Sequence, residues 1–217
     1  DLLFDQEFNL SPAEGNNPVS LLKENGIEAK TFPVHYPTGK NTWNEDREEK
    51  LSLLRYFNPA GAHSSIKLGE SPVNKALNLV PVITETAIGK RDSMSVFGKD
   101  YNTRDGSCIR DYIHVVDLAK AHVSALERLL RNNRDQNYEV FNVGTGEGTS
   151  VMEVIKTFEE VTGEPLSYKI APRRPGDVIS SYANTDQANQ ILGWQAKSTL
   201  KEALTTAWAW EKKVRGL

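Results

Sequence analysis

The pattern of apolar and polar positions changes texture at Leu51. Before it, Phe4, Phe8 and Leu10 precede a turn-rich run, Ser11-Pro12-Ala13-Glu14-Gly15-Asn16-Asn17-Pro18, and no apolar period is sustained. Val19, Leu21, Leu22 and Ile27 around Asn25-Gly26 predict at most a short helix and strand, and residues 1–50 read as partly disordered. From Leu51 onward apolar runs alternate with amphipathic stretches. Leu51, Leu53, Leu54, Tyr56 and Phe57 predict a parallel strand buried on both faces, ended by Asn58-Pro59-Ala60-Gly61 because proline has no amide for a ladder. A helix from about Asn78 to Ile88 is predicted, with Asn78 as N-cap and Gly89 as its stop. Ser95-Val96-Phe97 reads as a short strand. Asp117 stands where an N-cap belongs, ahead of a helix carrying Leu118, Ala121, His122, Ala125 and Leu129.

Tyr138-Glu139-Val140-Phe141-Asn142-Val143 predicts a second buried strand. Ser150–Glu153 is a capping box opening a helix with Val151, Val154, Ile155 and Phe158 on one face, stopped by Gly163. Tyr168-Lys169-Ile170 is a short strand, and Arg173 through Asp177 form a rigid turn. Thr185 or Asp186 caps a short helix ending at Gly193, and Thr199–Glu202 is a second capping box, for a last helix with Leu204, Ala207 and Trp208. Strands alternating with helices make the class α/β.

Composition narrows the partners. A net charge of −3 argues against nucleic acid or an anionic membrane as a bulk partner, while leaving room for a local cationic pocket. Cys108 is the only cysteine, so no internal disulfide forms and a reducing, cytoplasmic setting is expected. No apolar run approaches the roughly 18 residues of a spanning helix. A chain beginning at Asp1 rather than methionine reads as a fragment or a processed product.

Gly144, Gly146 and Gly148 lie between a strand and a helix, the setting of a dinucleotide-binding turn. The fingerprint needs a third glycine where Thr149 stands, and no acidic residue closes a second strand about twenty residues on, so a tight structural turn is expected. His114 and His122 have no Cys, Asp, Glu or His at ligand spacing and read as structural, with no metal. Arg110 and Arg174 are the ligand candidates, because guanidinium is planar, permanently charged and a bidentate donor to phosphate, although residue type alone fits solvated or salt-bridged arginines as well.

Three segments, Arg55-Tyr56-Phe57-Asn58-Pro59, Ile109-Arg110-Asp111-Tyr112-Ile113-His114 and Arg173-Arg174-Pro175-Gly176-Asp177, resemble in order and spacing the C-terminal part of UDP-glucose 4-epimerases, members of the extended short-chain dehydrogenase/reductase family. The resemblance covers about residues 51–217. It implies a remnant of a Rossmann-like parallel sheet plus the smaller α/β substrate-binding domain, with residues 1–50 unassigned or a remnant of the cofactor domain. It implies NAD-dependent interconversion of UDP-glucose and UDP-galactose in galactose metabolism. By matching position, Arg110 and Arg174 would hold the UDP phosphates and Asp177 the ribose hydroxyls. Asn58, Asn78 and Leu79 would lie near sugar, phosphates and uracil, Val96 and Phe97 would line the uridine strand, and Tyr56 and Phe57 the nicotinamide end of NAD. Ser181 matches a position lining the sugar pocket, where a small side chain admits N-acetylhexosamines as well as hexoses. A homodimer is the family's assembly, although it forms largely through the cofactor domain.

Family catalysis uses Tyr-x-x-x-Lys on a helix, which brings both side chains to one face, and Tyr36 and Lys40 have that spacing. Pro37 and Gly39 oppose a helix between them, and Lys40 lies only 15 residues before Arg55. The family's glycine-rich cofactor loop has no match in the chain. Two further readings therefore stand beside the epimerase: a catalytically inactive UDP-sugar-binding fragment lacking the NAD-binding half, and a sister nucleotide-sugar dehydratase or decarboxylase.

Overall fold

The computed structural model describes residues 9–10, 19–20, 51–72, 74–131 and 138–217. Contacts divide the chain into two units, Asp1–Lys50 and Leu51–Leu217. In the first, the described backbone is one antiparallel pairing of β1 (Asn9–Leu10) with β2 (Val19–Ser20), Asn9 opposite Ser20. Tyr36 and Lys40 lie outside the described residues.

The second unit begins with β3 (Leu51–Tyr56), which runs directly into β4 (Asn58–Ala60). After α1 (Leu79–Ala87) come β5 (Met94–Phe97), β6 (Ile109–Arg110) and β7 (Tyr112–His114), then α2 (Val115–Arg131) and β8 (Tyr138–Val143). β9 (Thr149–Ser150) leads into α3 (Val151–Thr162); β10 (Tyr168–Ala171), β11 (Ser180–Ser181), a π-helical turn (Ala188–Leu192) and α4 (Leu200–Val214) complete the chain. β3 pairs in parallel with β8, β4 with β7, β5 with β10 and β6 with β11; among the described residues of this unit β9, on the other side of β6, is the antiparallel exception. The chain changes partner at one point. Phe57 N donates to Val143 O at 3.2 Å, and the next amide, Asn58 N, donates to Asp111 O at 3.0 Å.

Two apolar clusters hold this framework. Val80, Ile83, Met94, Val96, Ile155, Phe158, Leu204 and Trp208 join α1, α3 and α4 over β5, with Phe158 and Trp208 edge to face at 5.7 Å. Ile113, Leu118, Ala121, Phe141, Val143 and Trp194 pack α2 and the π-helical turn against β7 and β8. Both predicted capping boxes form: Ser150 Oγ accepts from Glu153 N at 3.1 Å and Thr199 Oγ1 from Glu202 N at 3.2 Å. Gly163 closes α3 at φ 73°.

Three expectations are corrected. β3 is half-buried rather than covered on both faces, and Tyr56 is 54% exposed; burial on both faces needs helices on both, and among the described residues α2 is the helix packed against it. Asn78 occupies the N-cap of α1 but makes no side-chain cap; its amide donates to Glu70 Oε1 at 3.1 Å. The third concerns Asp117, which lies within the first turn of α2 rather than before it. His114 Nδ1 accepts from Val116 N at 3.1 Å in its place, and the Asp117 carboxylate instead receives Lys197 N and Ser198 N. His122 falls on the exposed side of α2, bonded to Leu118 O at 2.9 Å.

Candidate functional site

Arg110 ends β6, and its register partner across the parallel pairing with β11 is Ser181. Its guanidinium is fixed by the backbone: Nη1 donates to Ile109 O at 2.7 Å and to Val178 O at 2.9 Å. Arg174 opens the turn that follows β10. Asp177 N donates to Arg174 O at 3.3 Å, and Gly176 sits at φ 80° behind Pro175, the residues a type II turn requires. That turn returns Asp177 to its own Arg174, whose Nε and Nη2 grip the two carboxylate oxygens at 3.0 and 3.2 Å. Arg110 Nη2 approaches the same carboxylate at 3.6 Å.

Two guanidinium groups, one at a strand end and one on a turn, thus converge on one anion. Strand alternation adds a floor. Val96 points into the core, 1% exposed, while Phe97 takes the opposite face with the Arg174 Cζ 4.6 Å above its ring. The arrangement is asymmetric in rigidity. The Arg110 and Asp177 side chains are 19% and 15% exposed, whereas Arg174 is 55% exposed, so its ion pair contributes little and exchanges readily for a ligand.

Asp111 is fully buried, and its oxygens accept from Thr145 N at 2.9 Å, Thr145 Oγ1 at 2.6 Å, Gly146 N at 3.1 Å and Ala183 N at 3.2 Å. The glycine turn is therefore folded around the chain's own carboxylate. Its amides, which in a dinucleotide fold would face a phosphate, are taken, in line with the structural turn the sequence predicts. Gly144 allows the close approach: a Cβ there would lie 2.7 Å from Ala183 Cβ and nearer still to Asp111 Oδ2. Asp111 lies in a segment that carries the family resemblance, but nothing local points to its partners, which lie 34 to 72 residues away.

The remaining expected residues are only partly gathered. Asn58 stands beside Asp111 through the backbone bond at 3.0 Å, and the exposed Tyr56 ring lies 6.3 Å from His122. Phe57 continues the β3–β8 ladder. Asn78 is engaged by Glu70 and Leu79 packs against the larger core; neither hydrogen-bonds to the arginine pair among the described residues. Burial pushes the Tyr112 phenol well above its ordinary range, so it stays protonated. No group of three or more metal-ligating side chains assembles among the described residues.

Comparison with known proteins follows the same outline. A sequence profile for GDP-mannose 4,6 dehydratase matches residues 39–207. UDP-glucose 4-epimerase 3 of Oryza sativa subsp. japonica is 49% identical over 168 residues, 77% of this chain and 45% of that protein. UDP-glucose 4-epimerase of Bacillus subtilis is 47% identical over 166 residues, 76% of this chain and 48% of that one. The crystal structure of a Stenotrophomonas maltophila UDP-glucose-4-epimerase with NAD and formylated UDP-arabinopyranose superposes with a TM-score of 0.76 at 38% identity, over 88% of this chain and 54% of that one. The Bifidobacterium longum UDP-glucose 4-epimerase with NAD+ and UDP gives 0.72 at 40% identity, over 86% and 53%. The chain spans about half the length of the curated relatives it matches.

Proposed function

Because the chain belongs to the GDP-mannose 4,6 dehydratase family of extended short-chain dehydrogenase/reductases, we propose that it carries the nucleotide-sugar site of a UDP-glucose 4-epimerase. The observation that carries this reading is the convergence of Arg110 and Arg174 on one carboxylate above Phe97. In this reading a diphosphate takes the place of Asp177 between the two guanidinium groups, with bidentate charge-assisted bonds. Asp177, released from Arg174, turns to the ribose hydroxyls, and the uridine lies along Phe97. Ser181, in register with Arg110, borders the sugar, and its small side chain admits UDP-N-acetylhexosamines beside UDP-hexoses.

NAD is the cofactor this reading implies, accepting a hydride from carbon four of the sugar and returning it to the opposite face. The described residues fit that group poorly. Tyr56 is open to solvent at the end of β3, and the family's glycine-rich cofactor loop has no match in the chain. Tyr36 and Lys40 are the pair the proposal assigns to proton transfer at the 4-hydroxyl. A second reading is a UDP-sugar-binding protein without turnover, since the chain spans about half the length of the relatives it matches. A cytoplasmic setting goes with both, since Cys108 is a buried free thiol.

Calorimetric titration of the full chain with UDP tests the site. Arg110→Ala should weaken binding by roughly tenfold to a hundredfold, the worth of one charge-assisted bond pair to phosphate, and Arg110→Lys should not restore it. Absence of heat with the unmodified chain, or equal affinity in Arg110→Ala, would refute the proposal. Turnover assays with and without Tyr36→Phe, and the mass of nucleotide released on denaturation, separate the two readings.

A further inference from the structure

We infer that Asp111 is a positioning residue: its carboxylate fills an anion nest made by the glycine turn and thereby sets Arg110 and Ser181 for the nucleotide sugar. This rests on the proposed UDP-sugar site and extends it to a residue that touches no ligand. Asp111 is 0% exposed, so four donors converge on a charge removed from water, where an unmet anion is costly. Successive backbone amides at Thr145 and Gly146, with the Thr145 hydroxyl, form a concavity of the kind that binds phosphate in other folds. Here the anion comes from the strand that carries the arginine.

The contact joins four segments at one residue. Asp111 follows Arg110 on the chain, and its backbone oxygen takes Asn58 N at 3.0 Å. Its side chain holds residues 145–146 of the turn and Ala183 N, two residues past Ser181. Ser181 is the register partner of Arg110, so the phosphate and sugar sides of the site are referred to one carboxylate. Arg110 in turn bonds Val178 O, which precedes the same strand. Removing the charge leaves three backbone amides without an acceptor and frees the β11 segment to shift against β6. A ligand spanning both would lose its geometry, since misplacement by about 1 Å is enough to cost large factors.

The test uses Asp111→Ala in the full chain, with small carboxylates as stand-ins for the lost side chain. Hydrogen exchange in the absence of nucleotide should accelerate by about tenfold or more at Thr145, Gly146 and Ala183, the loss of one hydrogen bond to a charged group. UDP affinity should fall by a similar factor, and acetate or formate at constant ionic strength should restore both, while chloride should not. A role confined to general stability predicts a lower melting temperature with no carboxylate-dependent recovery of UDP binding, and that result overturns the inference. Unchanged exchange or unchanged UDP affinity overturns it too. Should Asp111→Ala not fold, Thr145→Val removes one donor and keeps the buried charge; unaltered UDP affinity there also refutes the role. If the unmodified chain takes up no UDP, the nucleotide-sugar reading falls, and acetate-dependent protection of Ala183 alone decides whether the clamp exists.

Discussion

Replacing Asp117 by alanine is the sharpest probe of how the second unit is held together. The carboxylate is 1% exposed on the first turn of α2, and its Oδ2 accepts from Lys197 N at 2.9 Å and Ser198 N at 2.7 Å. Lys120 Nζ reaches Oδ1 at 3.3 Å, but that side chain is 61% exposed, and its pair adds well under 1 kcal/mol. A bond to a charged acceptor contributes about 1.5–3 kcal/mol. Lys197 is exposed and Ser198 half-buried, so water recovers part of the loss, and about 2–4 kcal/mol is expected for Asp117→Ala. That is a factor of roughly 30 to 900 in the folded-to-unfolded ratio, or about 4–16 °C in melting temperature for a unit of this size. The Trp194 indole bond to the Asp117 backbone oxygen, at 3.1 Å, survives the substitution, which keeps the loss from being larger. Urea unfolding should show a lower midpoint with an unchanged slope. Asp117→Asn, which keeps one oxygen without the charge, should fall between. A midpoint for Asp117→Ala within about 1 kcal/mol of the unmodified chain would refute the reasoning. Acid gives a second readout. Burial alone would raise this carboxyl, but the Ser198 and Lys197 amides outweigh it and hold it below the ordinary carboxylate range. The stabilisation is therefore complete above about pH 3.9 and is lost as pH falls through the lower folded value, and Asp117→Ala should shrink that acid limb.

Two further outcomes are expected. His114 is 6% exposed, accepts Val116 N at Nδ1 and faces Thr206 Oγ1 at 3.3 Å with Nε2; burial pulls its pKa down, only partly offset by Asp117 and Glu202. The unfolded chain then binds the extra proton, so urea midpoints should hold steady above about pH 6.5 and decline below it, and His114→Asn should flatten that decline. Gly144→Ala places a methyl against Ala183 Cβ and the Asp111 carboxylate, and thermal melts should show a loss of about 1–3 kcal/mol or more, from overpacking rather than from φ.

Local order was legible because its causes are local. The capping boxes at Ser150 and Thr199, the stops at Gly89 and Gly163, and the strands at 94–97 and 168–171 are each set by side chains within a few residues of the backbone they serve. Arg110 and Arg174 came forward for a different reason: guanidinium suits an anion, and the segments around them resemble a nucleotide-sugar family, whereas residue type alone leaves them equally well read as salt-bridged. Buried carboxylates were not legible. Asp117 has the sequence context of an N-cap, yet its oxygens serve residues 80 and 81 positions later, while a histidine caps the helix instead. Nothing local to Asp111 points to its partners, although it organises the glycine turn and the Ser181 segment. Sequence alone determined most elements and their order, since propensity and capping act over one or two turns of chain. Only the tertiary structure decided which carboxylate meets which amide, and so that the two guanidinium groups share one anion. A buried charge takes whatever donors packing brings to it, and those lie tens of residues away.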